Sequence, residues 1–146
     1  MDLDLTGKHA LVCGASQGIG LAAAQALAEL GAGVTLLARR EEPLRELASS
    51  LPTKSEGQVH RWIAADSADT DTLRDKVQAA VNAHPVHILV NNSGGPPPGT
   101  VHGADIAAFE AAYRQHLIAN HVLAETVIPG MERDGYGRIV NVISTS

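Results

Sequence analysis

Cysteine, aromatic residues and positive charge are all scarce in this chain of 146 residues. Its single cysteine, Cys13, can form neither an internal disulfide nor a thiolate metal cluster. Only one Phe, one Trp and two Tyr are present, and 11 Lys and Arg stand against 16 Asp and Glu, which gives a net charge of −5. Nucleic-acid binding relies on a cationic surface and on rings that stack with bases, so we expect no nucleic-acid partner.

Long hydrophobic runs are also missing. No stretch approaches the roughly 18 consecutive apolar residues of a membrane-spanning helix, and the opening MDLDLTGKHA lacks the basic region and apolar run of a secretion signal. We therefore expect no membrane association and, given the single cysteine, a cytoplasmic location. Hydrophobic residues at 45% and charged residues at 18% are typical of a folded chain, and this length suits one domain.

Short apolar runs alternate with segments of helical periodicity from end to end. The runs predict strands at 9–13, 34–38, 59–64, 87–91 and 138–143. The first helix is predicted to bury Ile19, Ala22, Ala23, Ala26, Leu27 and Leu30. The second is predicted to begin near Pro43 and to bury Leu44, Leu47, Ala48 and Leu51. The third is predicted to be capped by Asp69 or Thr70 and to bury Leu73, Val77, Ala80 and Val81. One long helix is predicted over about 105–131.

Strands joined by single helices form parallel βαβ units, and right-handed crossovers place the helices on both faces of one sheet. The predicted fold is therefore α/β, a doubly wound (Rossmann) parallel sheet. The sequence ends at Ser146, directly after the fifth predicted strand. We expect residues 1–146 to form one Rossmann domain that lacks the C-terminal part of its fold, or whose last strand another chain covers; the next motif indicates that this domain binds a dinucleotide.

A glycine-rich turn connects the first predicted strand to the first predicted helix, with the spacing Gly14-x-x-x-Gly18-x-Gly20. Residues without a Cβ let the backbone approach a diphosphate, and the amides that open the helix supply donors and the positive end of its dipole. Three glycines here favour a dinucleotide site over a turn that is merely tight. The candidate cofactor-binding residues of this turn are Gly14, Ser16, Gln17, Gly18, Ile19 and Gly20.

Four motifs follow one another along the chain: CGASQGIG at 13–20, Asp66 after the third strand, NNSG at 91–94 and GRIVNVIS at 137–144. Together they resemble the short-chain dehydrogenase/reductase family from about Thr6 to Ser146, and the GGPPPG loop at 94–99 resembles members near the β-ketoacyl-carrier-protein reductases. The resemblance implies a nicotinamide cofactor across the carboxyl ends of the strands. It also implies hydride transfer to or from a small-molecule carbonyl or alcohol.

The end of the second strand bears on which nicotinamide cofactor is bound. An acidic residue there would bind the ribose 2′-hydroxyl of NAD, but this chain has Ala38 followed by Arg39 and Arg40. A guanidinium fits a 2′-phosphate, so NADP is predicted over NAD, with Arg39 as its ligand. The alternative is that the arginines pair with Glu41 and Glu42 on a solvated loop, a stronger alternative for Arg40.

The resemblance assigns further cofactor-binding residues. Asp66 matches the residue that accepts from the adenine amino group, with a simple turn or helix cap as the alternative. Asn92 and Gly94 match the stretch that runs behind the cofactor, where Ser93 replaces the usual alanine. Cys13 replaces the family's threonine, and its place at the end of a buried strand argues against a reactive thiol.

The catalytic residues that the resemblance implies are only partly present. Ser144 matches the serine that polarises the substrate oxygen, a polar turn being the alternative. His116 stands where the family has the asparagine of its proton relay; it could relay a proton itself or simply pack, and Asn120 lies one turn later. The family's Tyr-x-x-x-Lys pair cannot be assigned here, because in the family it lies further downstream than this chain runs, and neither Tyr113 nor Tyr136 is followed by a lysine four residues later.

We therefore expect the cofactor-binding portion of an NADP-dependent carbonyl reductase or alcohol dehydrogenase, inactive by itself and assembled as a homo-oligomer. The alternative is a degenerate, non-catalytic dinucleotide-binding protein, and a structural subunit that assembles through the fifth strand is a third hypothesis. No metal site is predicted, because His116 and His121 splay around a helix and His84 and His87 lack a third ligand.

Overall fold

A computed structural model describes residues 3–95, 100–103 and 105–143. Within them one parallel sheet contains β1 (His9–Cys13), β2 (Gly33–Ala38), β3 (Arg61–Ala64), β4 (Ile88–Asn91) and β5 (Arg138–Asn141). Its strand order is β3-β2-β1-β4-β5, so the direction of winding reverses between β1 and β4. The predicted doubly wound α/β fold is confirmed. The strands begin at what we call the amino edge of the sheet and end at its carboxyl edge.

The helices cover both faces of the sheet. They are α1 (Gly18–Glu29), α2 (Glu41–Ser50), α3 (Thr70–Ala83), α4 (Ile106–Tyr113), a π-helical turn (Arg114–Ile118) and α5 (Ala119–Arg133), with a 3₁₀ turn at Val101–Gly103. Alternate residues of β1 divide between two cores. Ala10 and Val12 pack with residues of α1 and α2, whereas Leu11 and Cys13 pack with residues of α3 and α5.

The sequence predicts the wrong buried face for α1, because the helix is rotated about its own axis relative to the prediction. Ile19 is 66% exposed, and the face that packs on the sheet contains Gly20, Ala24 and Ala28. An alanine-rich helix offers little contrast between its faces, so periodicity could not select the rotation. Gly20 selects it, because a Cβ there would overlap the carbonyl oxygen of Gly14.

The predicted faces of α2 and α3 agree with the structure, where Leu44 and Leu73 are fully buried. Helix α2 begins at Glu41, two residues before Pro43, because a proline fits the first turn of a helix without losing a hydrogen bond. Asp69 caps α3 as expected, and its carboxylate accepts from the amide of Thr72 at 3.2 Å.

Three predicted strands are shorter in the structure, and the smallest difference is in β4, which begins at Ile88 rather than at residue 87. Strand β3 begins at Arg61 rather than at residue 59, because the preceding loop is fixed by the side chain of Gln58. That side chain donates to the carbonyls of Ala28 at 2.8 Å and Ala32 at 2.9 Å. Strand β5 ends at Asn141, although the amide of Val142 still donates to the Asn91 carbonyl at 2.9 Å.

The single long helix predicted over 105–131 is interrupted. The π-helical turn separates α4, which buries none of its residues, from α5, which packs closely on the sheet. A π turn holds one residue more than an α turn, and such insertions are frequent at functional positions. The residues that α5 buries are Ala119, Val122, Leu123, Thr126, Val127, Gly130 and Met131.

Candidate functional site

A cleft of about 660 Å³ lies at the carboxyl edge of the sheet, beside the ends of β1 and β4. These are the two adjacent strands between which the direction of winding reverses. Open α/β sheets bind their ligands at this point. The residues that line this carboxyl-edge cleft are Gly14, Ser16, Gln17, Gly18, Ile19, Leu37, Ala38, Arg39, Arg40, Asp66, Ser67, Asn92, Ser93, Gly94 and Gln115. Of the predicted cofactor-binding residues, only Gly20 is not on this surface, and it lies directly beneath it.

The glycine turn forms one wall of the cleft. Gly14 has a φ of +59°, and a Cβ at this position would lie 2.6 Å from the carbonyl oxygen of Asn92. Gly14 and Gly20 are thus required by the packing of the turn itself. Gly18 differs: its φ is +56°, yet open space surrounds the position of its missing Cβ. The backbone at Gly18 is therefore accessible from the cleft.

Amides that have no partner among the described residues open helix α1 on the same wall. The amide of Leu21 donates to the Gln17 carbonyl at 3.3 Å, so the amides of residues 18–20 precede the first intrahelical hydrogen bond. Gln17 provides no side-chain cap, and the first turn of α1 carries no acidic residue. The arrangement leaves donors and the positive end of the helix dipole directed at an anion in the cleft.

The two arginines of the cleft are exposed at the end of β2. Glu42, one of the carboxylates that could neutralise them, instead pairs with Arg45 at 2.7 Å. Within residues 3–95, 100–103 and 105–143, neither Arg39 nor Arg40 forms an ion pair. Their guanidinium groups are therefore free to bind a ligand in the cleft, which weakens the alternative of pairing on the loop.

Asp66 serves the local turn and also lines the cleft. Its Oδ1 accepts from the amide of Ala68 at 2.9 Å, and its carbonyl accepts from the amide of Asp69 at 3.1 Å. The carboxylate is exposed at the end of β3. The turn role and a ligand role are therefore compatible, because the hydrogen bond to Ala68 occupies one oxygen.

Asn92 braces the floor of the cleft. Its Nδ2 donates to the carbonyl of Cys13 at 3.3 Å and so joins the ends of β4 and β1. Cys13 is 4% exposed, and burial raises the pKa of its thiol to about 12. The thiol is protonated at neutral pH, which agrees with the expectation that it is not a reactive group.

His116 lies in the π-helical turn and is hydrogen-bonded through Nδ1 to the hydroxyl of Ser93. Its Nε2 is buried and has no partner in the part of the chain that the structure describes. Gln115, its neighbour, lines the cleft, whereas Asn120 lies beyond the π turn in α5. The predicted catalytic residue Ser144 lies outside the described residues.

Sequence reasoning missed four polar residues of this region. Ser93 was noted only as a departure from the family motif, and neither Ser67 nor Gln115 was considered. Asn91 was also missed; it is 2% exposed, and its Nδ2 donates to Oδ1 of Asn141 across β4 and β5 at 2.8 Å. One sequence feature could have indicated this contact: Asn91 and Asn141 each stand at the end of an apolar strand, and the two strands pair in parallel.

No group of three or more His, Cys, Asp and Glu suited to a metal ion occurs among the described residues. The same residues include no helix both long and apolar enough to span a membrane.

A family model described as short chain dehydrogenase matches residues 8–146. The ketoacyl reductase HetN of Nostoc sp. is 33% identical over 141 residues, which cover 96% of this chain and 48% of that protein. The 7α-hydroxysteroid dehydrogenase of Clostridium sardiniense is 33% identical over 142 residues, 94% of this chain and 53% of the relative. This chain thus spans about half the length of these relatives.

Solved structures of two reductases are also similar to this chain, again over about half of their own length. The L-sorbose reductase of Gluconobacter frateurii, complexed with NADPH and L-sorbose, matches with a TM-score of 0.87 and 34% identity, over 97% of this chain and 54% of that one. A 3-oxoacyl (acyl-carrier-protein) reductase of Agrobacterium tumefaciens with NADP bound matches with a TM-score of 0.88 and 26% identity, over 99% and 55%.

Proposed function

Because the chain belongs to the short-chain dehydrogenase family, we propose that it is the NADP-binding portion of an oxidoreductase that interconverts a small-molecule carbonyl and its alcohol. The observation that carries this proposal is the carboxyl-edge cleft, in which the open backbone at Gly18 and the unpaired Arg39 line the same space. The NADPH and NADP named in two of the solved relatives support the choice of cofactor.

The residues of the cleft fit each part of this cofactor. The amides of residues 18–20 would hold the diphosphate, and Arg39 would bind the 2′-phosphate. Asp66 would accept from the adenine amino group, and Asn92 and Gly94 would support the cofactor from behind. When bound, NADP accepts or supplies the hydride of the reaction.

The chain also supplies candidates for handling the substrate oxygen and its proton. Ser144 would donate a hydrogen bond to the substrate oxygen and so polarise the carbonyl. His116, hydrogen-bonded to Ser93 at the rim of the cleft, would hold a proton at its imidazole. The Tyr-x-x-x-Lys pair does not occur in these 146 residues, so the general acid of the family is not among them.

Fluorescence titration with NADPH and NADH tests the proposal. We expect NADPH to bind more tightly, and we expect a negative charge at the opening of α1 to abolish that binding. Gly18→Asp and Gly18→Asn form a matched pair, because both side chains tolerate a positive φ and only the first adds a charge. The Asp variant should bind NADPH at least about tenfold more weakly than the Asn variant, since it repels the diphosphate. Equal affinities in the two variants, or equal affinities of the unaltered protein for both cofactors, would contradict the proposal.

A non-catalytic dinucleotide-binding protein is the second candidate. It is favoured by His116 in place of the family asparagine. A turnover assay separates the two functions, because both predict binding of NADPH and only the first predicts its oxidation by the whole protein.

Self-association remains a proposal as well. Strand β5 is the outermost strand on one side of the sheet, and all four of its residues are exposed, including Ile139 and Val140. An exposed apolar edge strand favours pairing with another chain. Sedimentation should show oligomers of the native chain and more monomer for Val140→Lys; a monomer at all concentrations would contradict the proposal.

A further inference from the structure

An apolar chamber of about 190 Å³ lies at the amino edge of the sheet, on the face that α3 covers. Its walls come from β1, β2 and β3, from α3 and the residue that follows it, and from the residue two positions before β4. The apolar side chains that line it are Leu11, Trp62, Ile63, Val77, Ala80, Val81, Ala83 and Val86. We call this space the amino-edge chamber; it is at the opposite edge of the sheet from the carboxyl-edge cleft.

The chamber adjoins a more polar groove of about 520 Å³, which we call the amino-edge groove. His9, Arg61 and His84 line both spaces, and Lys8 and His87 line the groove only. A ligand could therefore place an apolar part in the chamber and a polar part beside Arg61 and the imidazoles that line the groove. Neither space includes a residue of the glycine turn.

Positive charge at this junction is poorly neutralised, although the chain as a whole has a net charge of −5. Arg61 makes no ion pair among the residues that the structure describes. Glu56 lines the groove but not the chamber. The carboxylate of Asp134 lies 3.5 Å from Nε2 of His87, so its hydrogen-bonding capacity is already partly used there. The junction thus presents a guanidinium beside imidazoles, a combination that binds carboxylates and phosphates.

His9 shows how this environment acts on a neighbouring group. Its Nε2 is hydrogen-bonded to Oγ1 of Thr35 at 2.7 Å, so the ring is fixed against the sheet. Burial, reinforced by the charges of Arg61 and His84, lowers the pKa of His9 to about 4. At neutral pH the ring is therefore an uncharged wall, and Arg61 and His84 remain to contact an anion.

From this arrangement we infer that the chain has a second ligand site, at the amino edge of the sheet, for a small organic anion with a compact apolar body. The apolar body occupies the chamber, and the carboxylate lies between Arg61 and His84. The size is suitable, because an apolar cavity of about 150 Å³ in another protein holds benzene. The anion therefore carries a single ring or a short branched chain. This site is independent of the NADP site proposed above.

Benzoate is the probe for this inference, with benzyl alcohol as the uncharged analogue and inorganic phosphate as the anion without an apolar body. Binding is measured by isothermal titration and by amide chemical shifts of the protein. We expect saturable binding of benzoate, with shifts centred on β3 and α3, and markedly weaker binding of the other two probes. Saturating NADPH should leave the benzoate affinity unchanged, because the two sites lie at opposite edges of the sheet.

Two variants with matched controls test the two halves of the site. Ala80→Leu fills the chamber, whereas Ala79→Leu adds the same side chain at an exposed position of the same helix. Arg61→Gln removes the guanidinium, whereas Arg74→Gln does so on the outer face of α3. We expect Arg61→Gln to weaken benzoate binding by at least about tenfold, the range for loss of a charged partner. We expect Ala80→Leu to weaken it markedly as well, because the added side chain occupies the chamber, with little change in either control.

Several results would overturn the inference. These are the absence of saturable benzoate binding, equal binding of benzyl alcohol, unchanged affinity in Ala80→Leu or Arg61→Gln, and competition by NADPH. Amide shifts of each variant without ligand establish that it is folded. If Ala80→Leu does not fold, Ala80→Val with its control Ala79→Val provides the same comparison with a smaller addition.

Discussion

Ser93 and His116 are joined by a hydrogen bond between the loop that follows β4 and the π-helical turn. The bond connects Oγ to Nδ1, and it places the imidazole beside Ser93, which lines the carboxyl-edge cleft, with the other ring nitrogen buried. Both residues differ from those that the family pattern predicts at their positions. Their contact indicates that the two departures are linked, with each residue providing the other's polar partner.

A double-mutant cycle tests this link. We expect Ser93→Ala and His116→Asn each to destabilise the protein, and the double variant to lose less than the sum of the two. The coupling should be about 0.5 to 1.5 kcal/mol, the usual range for an intramolecular hydrogen bond. Urea unfolding measures it, and His121→Asn, an exposed change in α5, is the control. Strictly additive losses would mean that the two residues act independently.

The second prediction concerns the preference for NADPH over NADH. Arg39→Ala should reduce the difference in binding free energy between the two cofactors by about 1 to 3 kcal/mol, because it removes the partner of the 2′-phosphate. NADH affinity should hardly change. Arg45→Ala is the control, since Arg45 pairs with Glu42 and does not line the cleft. An equal loss for NADH in Arg39→Ala would show that Arg39 does not distinguish the cofactors.

The third prediction is a loss of stability in acid that depends on His9. Its pKa is about 4 in the folded chain and 6.5 when unperturbed, so the unfolded chain binds more protons at this residue between these values. Stability from His9 is therefore complete above pH 6.5 and falls as the pH drops toward 4, by at most about 3 kcal/mol. Burial also lowers the pKa values of His60 and His87, which add to the effect.

Urea unfolding between pH 4.5 and 7.5 measures this dependence, and the pH range follows from the pKa values above. His9→Gln should flatten the profile, because glutamine can still hydrogen-bond Thr35 but does not titrate. The exposed change His121→Gln should leave it unaltered. A profile of equal slope in His9→Gln and in the native chain would contradict the assignment.

The fourth prediction concerns the thiol of Cys13. A thiol reagent at pH 8 should react with the folded protein only as fast as the chain opens, because the group is buried and its pKa is raised to about 12. Reaction should be fast in denaturant. Ala79→Cys, which adds an exposed thiol on α3, should react rapidly in the folded state. Equally rapid labelling of Cys13 in the native protein would contradict its burial.

The fifth prediction is that these 146 residues alone do not oxidise NADPH in the presence of simple ketones or β-keto thioesters. General acid catalysis contributes about 10² to 10⁴ in rate, and the family's Tyr-x-x-x-Lys pair is absent from the sequence. A spectrophotometric assay at 340 nm, the usual wavelength for NADPH, follows the reaction on protein whose mass is verified. Robust turnover that His116→Asn removes would instead identify His116 as the proton donor.

The sequence was sufficient to predict the strands of the sheet. Each strand is a short apolar run, and it is followed by a turn or by a helix with a distinct polar face. It was sufficient for the glycine turn for a similar reason, since the spacing of the glycines is local. It failed for the rotation of α1, where the deciding contact joins Gly20 to the carbonyl of Gly14. It also failed for the partner of His116, because Ser93 is 23 residues away and only tertiary packing brings them together.

The π-helical turn at Arg114–Ile118 has a consequence for insertions and deletions. Because this turn contains one residue more than an α turn, deleting one residue here would convert it to α-helix and leave the relative rotation of α4 and α5 nearly unchanged. Helix α5 would stay anchored by its buried face, and only the residues within the turn, Gln115 among them, would take new positions. The additional residue therefore determines which side chains of the turn face the cleft, while the two flanking helices keep their orientation.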